Sequence, residues 1–468
     1  MGQRWGTGWD ADTSYMVVGS RAMRYRMLSA VALVLGLAAR AHADGDPHLD
    51  VEKYKLPNGL EVILTRDQSV PLVAVNLWYH VGSGNEVPHR SGFAHLFEHM
   101  MFQGSKNTGA DAHFKILRKI GASNVNGTTN TDRTNYFEVI PSNQLETALW
   151  LESDRMGHLL DILDKKELEN QIDVVRNEKR QNYDNVAYRK ALFAMYEALY
   201  PEGHPYRHLT IGLHEDLTSA SVEDVKNFFR TWYVPANATI AISGDFDTAE
   251  AKKLVEKWFG SFPASQKPVT VKIPAPVVPA KEITVDDSFA KLRQVTFAWN
   301  TPAFYEPGDA ELDIAAAALS REGWGRLYKR LVYDKQLAQS VRASQGSQAF
   351  SSVFDITVTL SSGADMGEVK KIVMEELERL KKEDLEQRIL DRVVASNESG
   401  MIYRLEDINN RANVLQEYNQ FLGDPNKITW DLDRYRKTTP AKVRETVARY
   451  LDPAHMITVI TNPAGGAK

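Results

Sequence analysis

Cysteine is absent from all 468 residues of the sequence. Disulfide bonds, thiolate metal ligands, cysteine catalysis and a lipid-anchored cysteine are therefore all excluded. A metal site in this protein would have to be built from histidine and carboxylate side chains.

Strong net charge and long apolar segments are also missing. The formal net charge of -5 is small for this length and gives no indication of a nucleic-acid or anionic-membrane surface. No apolar run reaches the roughly 20 residues that a membrane-spanning helix needs. With 43% hydrophobic and 25% charged residues, the composition is that of a globular protein long enough for more than one packed core.

The beginning of the chain has the pattern of a secretory signal. A basic stretch at 21–26 precedes an apolar run at 27–39, and Ala41-His-Ala43 supplies small residues for cleavage. We predict cleavage after Ala43, which gives a soluble, secreted and periplasmic protein. Residues 1–20 are a polar extension ahead of this signal, so translation starting at Met23 or Met27 is an alternative.

Strand and helix patterns alternate through the first half of the chain. Alternating apolar residues at 54–65, 71–79 and 134–140 predict strands, the first of them with an Asn-Gly turn. Helical periodicity is found at 92–102, 111–120, 143–160 and 165–182. Strands and helices are thus mixed along the sequence.

A repeated pattern near the middle and the end of the sequence indicates two related domains. Residues 229–243 and 447–461 both read as a helix end, a tyrosine, a Pro-Ala turn and a strand. The Pro-, Val- and Lys-rich segment between them predicts a linker at 267–280. We therefore expect an N-terminal domain at 44–266 and a C-terminal domain at 281–468.

The motif His95-Leu-Phe-Glu-His99 carries the main chemical signal. Residues four apart share a face of a helix, so both imidazoles can bind one ion while Glu98 lies beside it. Two histidines and a third ligand leave a fourth zinc position open for a water, whose pKa the metal lowers to roughly 7. Glu98 can then accept the proton of that water and pass it to the leaving amine. The alternative is an ordinary amphipathic helix that buries its apolar face and exposes the two histidines.

The residues alone leave the third ligand open. Carboxylates on the following predicted helix and histidines elsewhere are all candidates, although each is also explained as an ordinary polar residue. These candidates are Glu167, Glu169, Asp173, Glu178, His80, His89, His113 and His158.

Several segments together resemble the pitrilysin/insulinase family of zinc metallopeptidases. They are Val81-Gly-Ser-Gly-Asn-Glu86, residues 92–105 with the inverted His-x-x-Glu-His motif, and the later segments 126–136, 151–156, 204–206 and 233–237. They occur in the order and roughly the spacing of that family, and the likeness extends from Tyr54 to Thr461.

The resemblance implies a role for each residue of the motif. His95 and His99 match the two zinc-ligand histidines, Glu98 matches the catalytic base, and Glu178 matches the third ligand of a single zinc ion. Gln171 departs from the family pattern, which often has a glutamate there that supports the metal site.

The resemblance also implies where a peptide substrate binds. The segment from Asn126 to Tyr136, continuing into the strand that ends at Ile140, looks like the family's edge strand, on which an extended peptide is laid. Asn126, Gly127 and Thr128 are accordingly candidate substrate-binding residues, although Asn126, Thr129 and Asn130 are also explained as turn residues.

A second candidate substrate contact lies in the C-terminal half. There the segment 325–341 resembles a family motif in which an arginine and a tyrosine contact substrate. Arg326 matches the arginine, whereas Gln339 replaces the tyrosine.

These inferences predict an α+β fold of two related domains, each with a mainly antiparallel sheet covered by helices. The expected function is that of a secreted zinc endopeptidase acting on peptides or unfolded segments. Because the tyrosine is replaced and the protein has only half the length of four-domain members, we expect a homodimer or a heterodimer with a related chain lacking the zinc motif. The alternative function is that of a non-catalytic homologue that binds peptides or scaffolds a complex.

Overall fold

The computed structural model describes residues 45–270 and 272–464. The predicted signal sequence and its cleavage site lie outside these residues. From Leu49 onward the polypeptide forms one compact unit, within which both halves of the molecule are described.

The described residues of the first half form six strands, all in one sheet. They are β1 (Val51–Lys55), β2 (Glu61–Arg66), β3 (Leu72–Tyr79), β4 (Ser123–Thr129), β5 (Thr134–Pro141) and β6 (Ala238–Gly244). The helices are α1 (Phe93–Met100), α2 (Ala112–Lys119), α3 (Leu145–His158), α4 (Lys165–Lys179), α5 (Arg189–Leu199), α6 (His214–Thr218), α7 (Val222–Trp232) and α8 (Thr248–Phe259). A π-helical turn, Arg180–Asp184, follows α4 directly.

The second half repeats this mixture of elements. Its strands are β7 (Lys281–Asp287), β8 (Gln294–Thr301), β9 (Ala338–Gly346), β10 (Ser352–Leu360) and β11 (Ile457–Pro463). Its helices are α9 (Asp309–Ser320), α10 (Met366–Lys382), α11 (Gln387–Glu406), α12 (Ile408–Leu422), α13 (Ile428–Arg436) and α14 (Pro440–Tyr450), with a π-helical segment at Tyr328–Asp334.

Apart from β1, which is an additional edge strand of the first sheet, the two sheets have the same strand order. The first runs β1-β2-β6-β3-β5-β4 and the second runs β7-β11-β8-β10-β9. In each sheet the last strand of the half pairs in parallel with the first strand of the repeat, β6 with β2 and β11 with β7, and every other pairing is antiparallel. The predicted α+β fold of two related, mainly antiparallel domains is confirmed, including the repeated pattern that ends in β6 and β11.

Each sheet packs one face against helices of its own half. In the first half the buried side chains of β2, β3 and β6 pack with those of α1, α3, α4, α7 and α8. In the second half α9, α10 and α14 cover the sheet in the same way. Central strands such as β3, which is buried along nearly its whole length, need this cover on both faces.

The other face of each sheet is covered by a helix from the opposite half. Apolar residues of α5 pack on β8 and β11 of the second sheet, while Ala412 and Leu415 of α12 pack on Ile63 and Ala241 of the first sheet. The α12 contact is also polar, since Gln416 Nε2 donates hydrogen bonds to the carbonyl oxygens of Asn76 and Thr239 at 2.9 and 2.7 Å. The two halves are therefore joined through both of their sheets.

Residues 263–280 connect α8 to β7 and, apart from residue 271, which is not described, contain neither helix nor strand. The predicted linker at 267–280 falls within this segment. None of the helices in the described part of the molecule is long and apolar enough to cross a lipid bilayer.

Candidate functional site

Helix α1 carries the histidine motif and is fixed to the core by its apolar face. Phe93, Leu96, Phe97 and Met100 are buried, as an amphipathic pattern requires. The start of the helix is held by the buried carboxylate of Glu86, which accepts hydrogen bonds from the backbone N–H groups of Gly92 and Ala94 at 2.9 and 2.8 Å. A carboxylate at this end also interacts favourably with the helix dipole.

The polar face of α1 meets the end of α4. Glu178 Oε2 lies 3.2 Å from His99 Nε2 and 3.6 Å from His95 Nε2. The two imidazole rings are nearly perpendicular, with centroids 4.8 Å apart. One carboxylate oxygen thus faces both rings at once.

These distances fit a single tetrahedral ion. Ligand atoms roughly 2.0–2.2 Å from one zinc ion are about 3.3–3.6 Å from each other, and zinc prefers nitrogen and carboxylate donors of this kind. One ligand atom from each of His95, His99 and Glu178 lies within 4.8 Å of the others. The Nδ1 atom of His95 is buried without a hydrogen-bond partner, so Nε2 is the atom that His95 turns toward the cluster.

The charges of the cluster agree with a metal site. Burial, followed by the proximity of His99, lowers the pKa of His95 to about 4, which keeps its imidazole neutral. The hydrogen bond with His99 lowers the pKa of Glu178, which keeps this residue a carboxylate. Neutral imidazole and ionised carboxylate are the forms that bind metals.

The other third-ligand candidates lie elsewhere. Of the described residues, only Glu178 joins the two motif histidines in a group of three possible ligands. His80, for example, has both ring nitrogens within hydrogen-bond distance of other side chains, namely Gln420 and Thr239. Gln171, which departs from the family pattern, is buried on α4.

Glu98 lies on the same turn of α1 and contacts strand β4. Its Oε2 atom accepts a hydrogen bond of 2.7 Å from the hydroxyl of Thr129. Burial raises the pKa of Glu98, while the Thr129 hydrogen bond opposes that rise. Thr129 was not among the residues expected to act at the site, although it directly follows the candidate binding residues in sequence.

Strand β4 is the edge of the first sheet and passes next to Glu98. A Cβ atom added at Gly127 would lie 3.0 Å from Glu98 Cγ and 3.1 Å from carbon atoms of the Phe102 and Tyr136 rings. Glycine therefore allows the edge strand to approach the candidate base closely. The predicted edge segment was too long, because β4 ends at Thr129 and the backbone then turns back into β5, which lies inside the sheet.

The neighbouring candidate substrate-binding residues also lie on β4. The side chain of Asn126 accepts a hydrogen bond from the backbone N–H of Gly127 at 2.9 Å. Thr128 donates a hydrogen bond to Asn135 at 2.6 Å, and its carbonyl accepts one from Arg133 at 2.8 Å. These contacts fix the local shape of the edge strand.

Arg326 is not grouped with these residues. It lines a cavity formed wholly by residues 318–392 of the second half. Gln339 lies on β9, at the edge of the second sheet.

A second cluster of possible metal ligands was missed from the sequence. His113, Glu138 and Glu152 are buried together behind the edge of the first sheet. Arg155 forms an ion pair with Glu152 and lies 4.2 Å from the centroid of the Tyr136 ring. Because Arg155 already supplies positive charge here, the cluster is explained as a buried ion-pair network. The i,i+3 spacing of Glu152 and Arg155 was the available sequence signal.

Two models of one protein family match the chain. The model described as Insulinase (Peptidase family M16) matches residues 61–207, and the one described as Peptidase M16 inactive domain matches residues 219–397. The first match contains the histidine motif and Glu178. The second covers much of the C-terminal half.

The named relatives agree with these matches. The chain is 28% identical over 399 residues to the zinc protease PqqE of Helicobacter pylori, covering 84% of this chain and 88% of that one. A crystal structure of a protease from Helicobacter pylori superposes with a TM-score of 0.83 at 26% identity, covering 89% of this chain and all of the other.

A longer protein shares the fold. The periplasmic protease PqqL of Escherichia coli matches with a TM-score of 0.75 at 17% identity, covering 90% of this chain but only 48% of PqqL. The names of the relatives support a metallopeptidase that uses zinc. The chain belongs to the insulinase family of peptidases, family M16.

Proposed function

We propose that the protein is a secreted zinc endopeptidase that cleaves peptides or unfolded segments. His95, His99 and Glu178 hold one zinc ion and Glu98 is the catalytic base. The proposal is carried by one observation: three ligand atoms converge next to a carboxylate that is itself held against an open strand edge.

Bound zinc would lower the pKa of a water to about 7 and polarise the scissile carbonyl. Glu98 takes a proton from the attacking water and delivers it to the leaving amine nitrogen. Thr129 orients Glu98 for both transfers by donating to one carboxylate oxygen, which leaves the other oxygen available for the proton.

The substrate lies as an added strand on β4. An edge strand presents unpaired N–H and C=O groups, so an extended peptide can pair with Asn126, Gly127 and Thr128 through its main chain. The absence of a side chain at Gly127 brings the bound peptide close to Glu98. Recognition through the main chain accommodates many sequences.

The test is hydrolysis of a fluorogenic, internally quenched peptide. Glu98→Gln removes the base while keeping the shape of the side chain, so we expect kcat/KM to fall by about 10²–10⁴-fold. Zinc content, measured by mass spectrometry, should be unchanged, and a chelator should abolish the activity of the unmodified protein.

A matched control is Glu311→Gln on α9, the helix that corresponds to α1 in the second half. This variant should retain full activity. Equal activity of Glu98→Gln and the unmodified protein would refute the assignment of Glu98 as the base. Absence of hydrolysis by the unmodified protein would favour the non-catalytic alternative.

We further propose that the active form is a dimer with a second copy or with a related chain. The predicted substrate contact Arg326 lines a cavity of the second half that contains no residue of the zinc cluster. In addition, the protein matches about half of PqqL, so two such chains would be needed to equal its length. A purified monomer that cleaves peptides at the full rate, unchanged by addition of a partner, would contradict this proposal.

The proposed location is the periplasm, after cleavage of the signal behind Ala43. The pattern of residues 21–43 supports it, as does the description of PqqL as periplasmic. N-terminal sequencing of the mature protein should find Asp44 first.

A further inference from the structure

The second half contains a cavity of about 680 Å³ that the proposed chemistry does not use. It is lined by residues of α9, the turn at Gly323 and Trp324, the π-helical segment Tyr328–Asp334, the end of α10 and the beginning of α11. Its volume lies in the range of roughly 300–1,000 Å³ that is typical of ligand pockets. We call it the basic cavity.

Positive charge dominates the lining of the basic cavity. It contains five cationic side chains and one acid, Glu386; the cations are Arg326, Lys329, Arg379, Arg388 and Arg392. Two of them have carboxylate partners, since Arg388 pairs with Glu386 at 2.6 Å and Arg379 pairs with Glu383 at 2.7 Å. Within the described residues, the other three form no ion pair.

Arg326 is the most confined of these unpaired cations. Its Nη1 atom is buried and has no hydrogen-bond partner among the described residues. Burial, followed by repulsion from Arg379, lowers the pKa of Arg326. A buried donor on a charged group costs free energy unless an acceptor meets it, so an anion in the cavity would stabilise this arrangement.

The rest of the lining is aromatic and apolar. The ring of Trp324 lies 5.4 Å from the guanidinium of Arg392, and Tyr328 and Ile389 form further wall. Tyr333 is 75% exposed at the mouth of the cavity, an unusual position for a large aromatic side chain. The cavity thus offers cationic donors beside apolar surface.

We propose that the basic cavity binds a carboxylate of a polypeptide together with an adjacent apolar side chain. The planar guanidinium of Arg326 matches a carboxylate in a two-bond arrangement, and Trp324 and Tyr333 cover the apolar neighbour. The carboxylate comes from the C-terminus of the polypeptide or from an Asp or Glu side chain. This assignment rests on the proposed function only in taking polypeptides as the ligands, and it gives Arg326 a role at a site distinct from the zinc cluster.

The experiment measures binding without turnover. Full-length Glu98→Gln protein is titrated into three fluorescein-labelled hexapeptides, and anisotropy is recorded. The first ends in Phe with a free carboxylate, the second is the same peptide amidated at its C-terminus, and the third is amidated but has Glu before the Phe. The free-acid peptide or the Glu peptide should bind at least about tenfold more tightly than the neutral amide. Which of the two binds identifies the source of the carboxylate.

Variants of the cavity complete the test. Arg326→Gln should weaken binding of the preferred peptide by about tenfold or more. Arg392→Gln and Lys329→Gln, at exposed positions where folding is not at risk, should each weaken it by a smaller factor. The matched control is Arg449→Gln on α14, because that exposed arginine does not line the cavity; this variant should bind the peptide as the parent does.

Equal binding of all three peptides would overturn the proposal, as would unchanged affinity in the Arg392→Gln and Lys329→Gln variants. Displacement of the peptide by inorganic phosphate at equal concentration would also overturn it, since the site would then select charge alone. Because no peptide bond is cleaved in these measurements, loss of peptidase activity and loss of peptide binding are distinguishable.

Discussion

The two halves of the molecule share one fold but differ in the side chains of one helix, the helix that follows β3 in the first half and β8 in the second. After β3 comes α1, with two histidines and a glutamate on its polar face. After β8 comes α9, an alanine-rich helix that is buried along most of its length. Of the described residues, only those of the first half form groups of three possible metal ligands. The same scaffold therefore stabilises both halves, whereas a few side chains distinguish the half for which we propose metal chemistry.

The halves also exchange helices. Helix α5 covers the second sheet and α12 covers the first, so neither sheet is covered by its own half alone. Loss of a metal ligand should therefore affect chemistry in one half, whereas changes at the contacts between the halves should affect the stability of both.

The largest effect should come from making the first half resemble the second. Glu178→Ala removes the proposed zinc ligand on α4. Loss of a residue that merely supports a ligand lowers metal affinity by about 10–100-fold, so we expect zinc affinity to fall by more than about 100-fold here. Peptide hydrolysis should be lost with the metal. Zinc content after dialysis and the rate of peptide cleavage are the measurements.

Glu169→Ala on the same helix is the control for this change, because Glu169 is exposed and pairs with Lys165, away from the two histidines. It should keep both zinc and activity. Stoichiometric zinc in the Glu178→Ala protein would contradict the ligand assignment.

The contact between the halves at Asp132 should make stability depend on pH. This carboxylate accepts hydrogen bonds from the hydroxyl of Tyr206 and from the backbone N–H of Ala349, in the second half, at 3.0 Å. Burial raises the pKa of Asp132 from 3.8 to about 6. The folded protein therefore binds this proton more tightly than the unfolded protein, so the contribution of Asp132 to stability falls as the pH rises from about 4 to 6.

Asp132→Asn removes this titration and also replaces one of the two side-chain oxygen atoms that accept hydrogen bonds. The variant should be less stable at pH 4, and its deficit relative to the unmodified protein should shrink by about 2 kcal/mol by pH 7. Urea unfolding across this range measures the difference. Asp111→Asn, at an exposed site, should leave the pH profile unchanged; a deficit for Asp132→Asn that is constant with pH would refute the assignment.

The next largest effect should come from substitution of a glycine in β4, the edge strand of the first sheet, compared with a glycine in β9, the edge strand of the second. Gly127→Ala on β4 places a Cβ 3.0 Å from Glu98 Cγ, so the edge strand must shift away from the base. Overpacking of this kind costs about 1–3 kcal/mol, and we expect kcat/KM to fall by about tenfold. The assay is the same peptide hydrolysis, with zinc content as a check.

Gly346→Ala on β9, at the edge of the second sheet, is the matched control. A Cβ there would meet only the carbonyl oxygen of Val353, at 3.5 Å, which is ordinary contact. Equal losses in the two variants would mean that the closeness of β4 to Glu98 has no bearing on catalysis.

The smallest effect should come from substitution of Thr129, because this change alters neither the proposed metal ligands nor the fold. Thr129→Val removes the hydrogen bond to Glu98, and we expect kcat to fall by up to about tenfold with zinc content unchanged. Thr129→Ser keeps the hydroxyl and should restore most of the rate. A Ser variant as slow as the Val variant would indicate that the methyl group, and not the hydrogen bond, matters.

Much of the fold could be predicted because its signals are local. The buried face of α1 follows from periodicity, and the repeat near β6 and β11 revealed two related halves. The edge strand was less accurately predicted, since the turn between Thr129 and Thr134 depends on pairing with β5. The exchange of α5 and α12 had no sequence signal, because apolar residues on a helix do not specify which sheet they cover.

The residues of the candidate site also divide into those that the sequence predicts and those that only the structure reveals. His95, Glu98 and His99 lie within one helical turn and a half, so their common direction follows from helix geometry alone. For Glu178, the residues left several carboxylates open, and only the family resemblance favoured one before the structure brought it to the histidines. Thr129 and the need for glycine at position 127 depend on how closely β4 approaches α1, which is set by packing.

The sequence by itself determined the types of ligand available, the two related halves and the helical motif, because each follows from composition or from short-range periodicity. The tertiary structure decided that the carboxylate of α4 faces both imidazoles, that an open strand edge passes beside Glu98 and that Arg326 lines a separate cavity. These are contacts between residues far apart in the sequence, and their distances are set by the packing of helices on sheets.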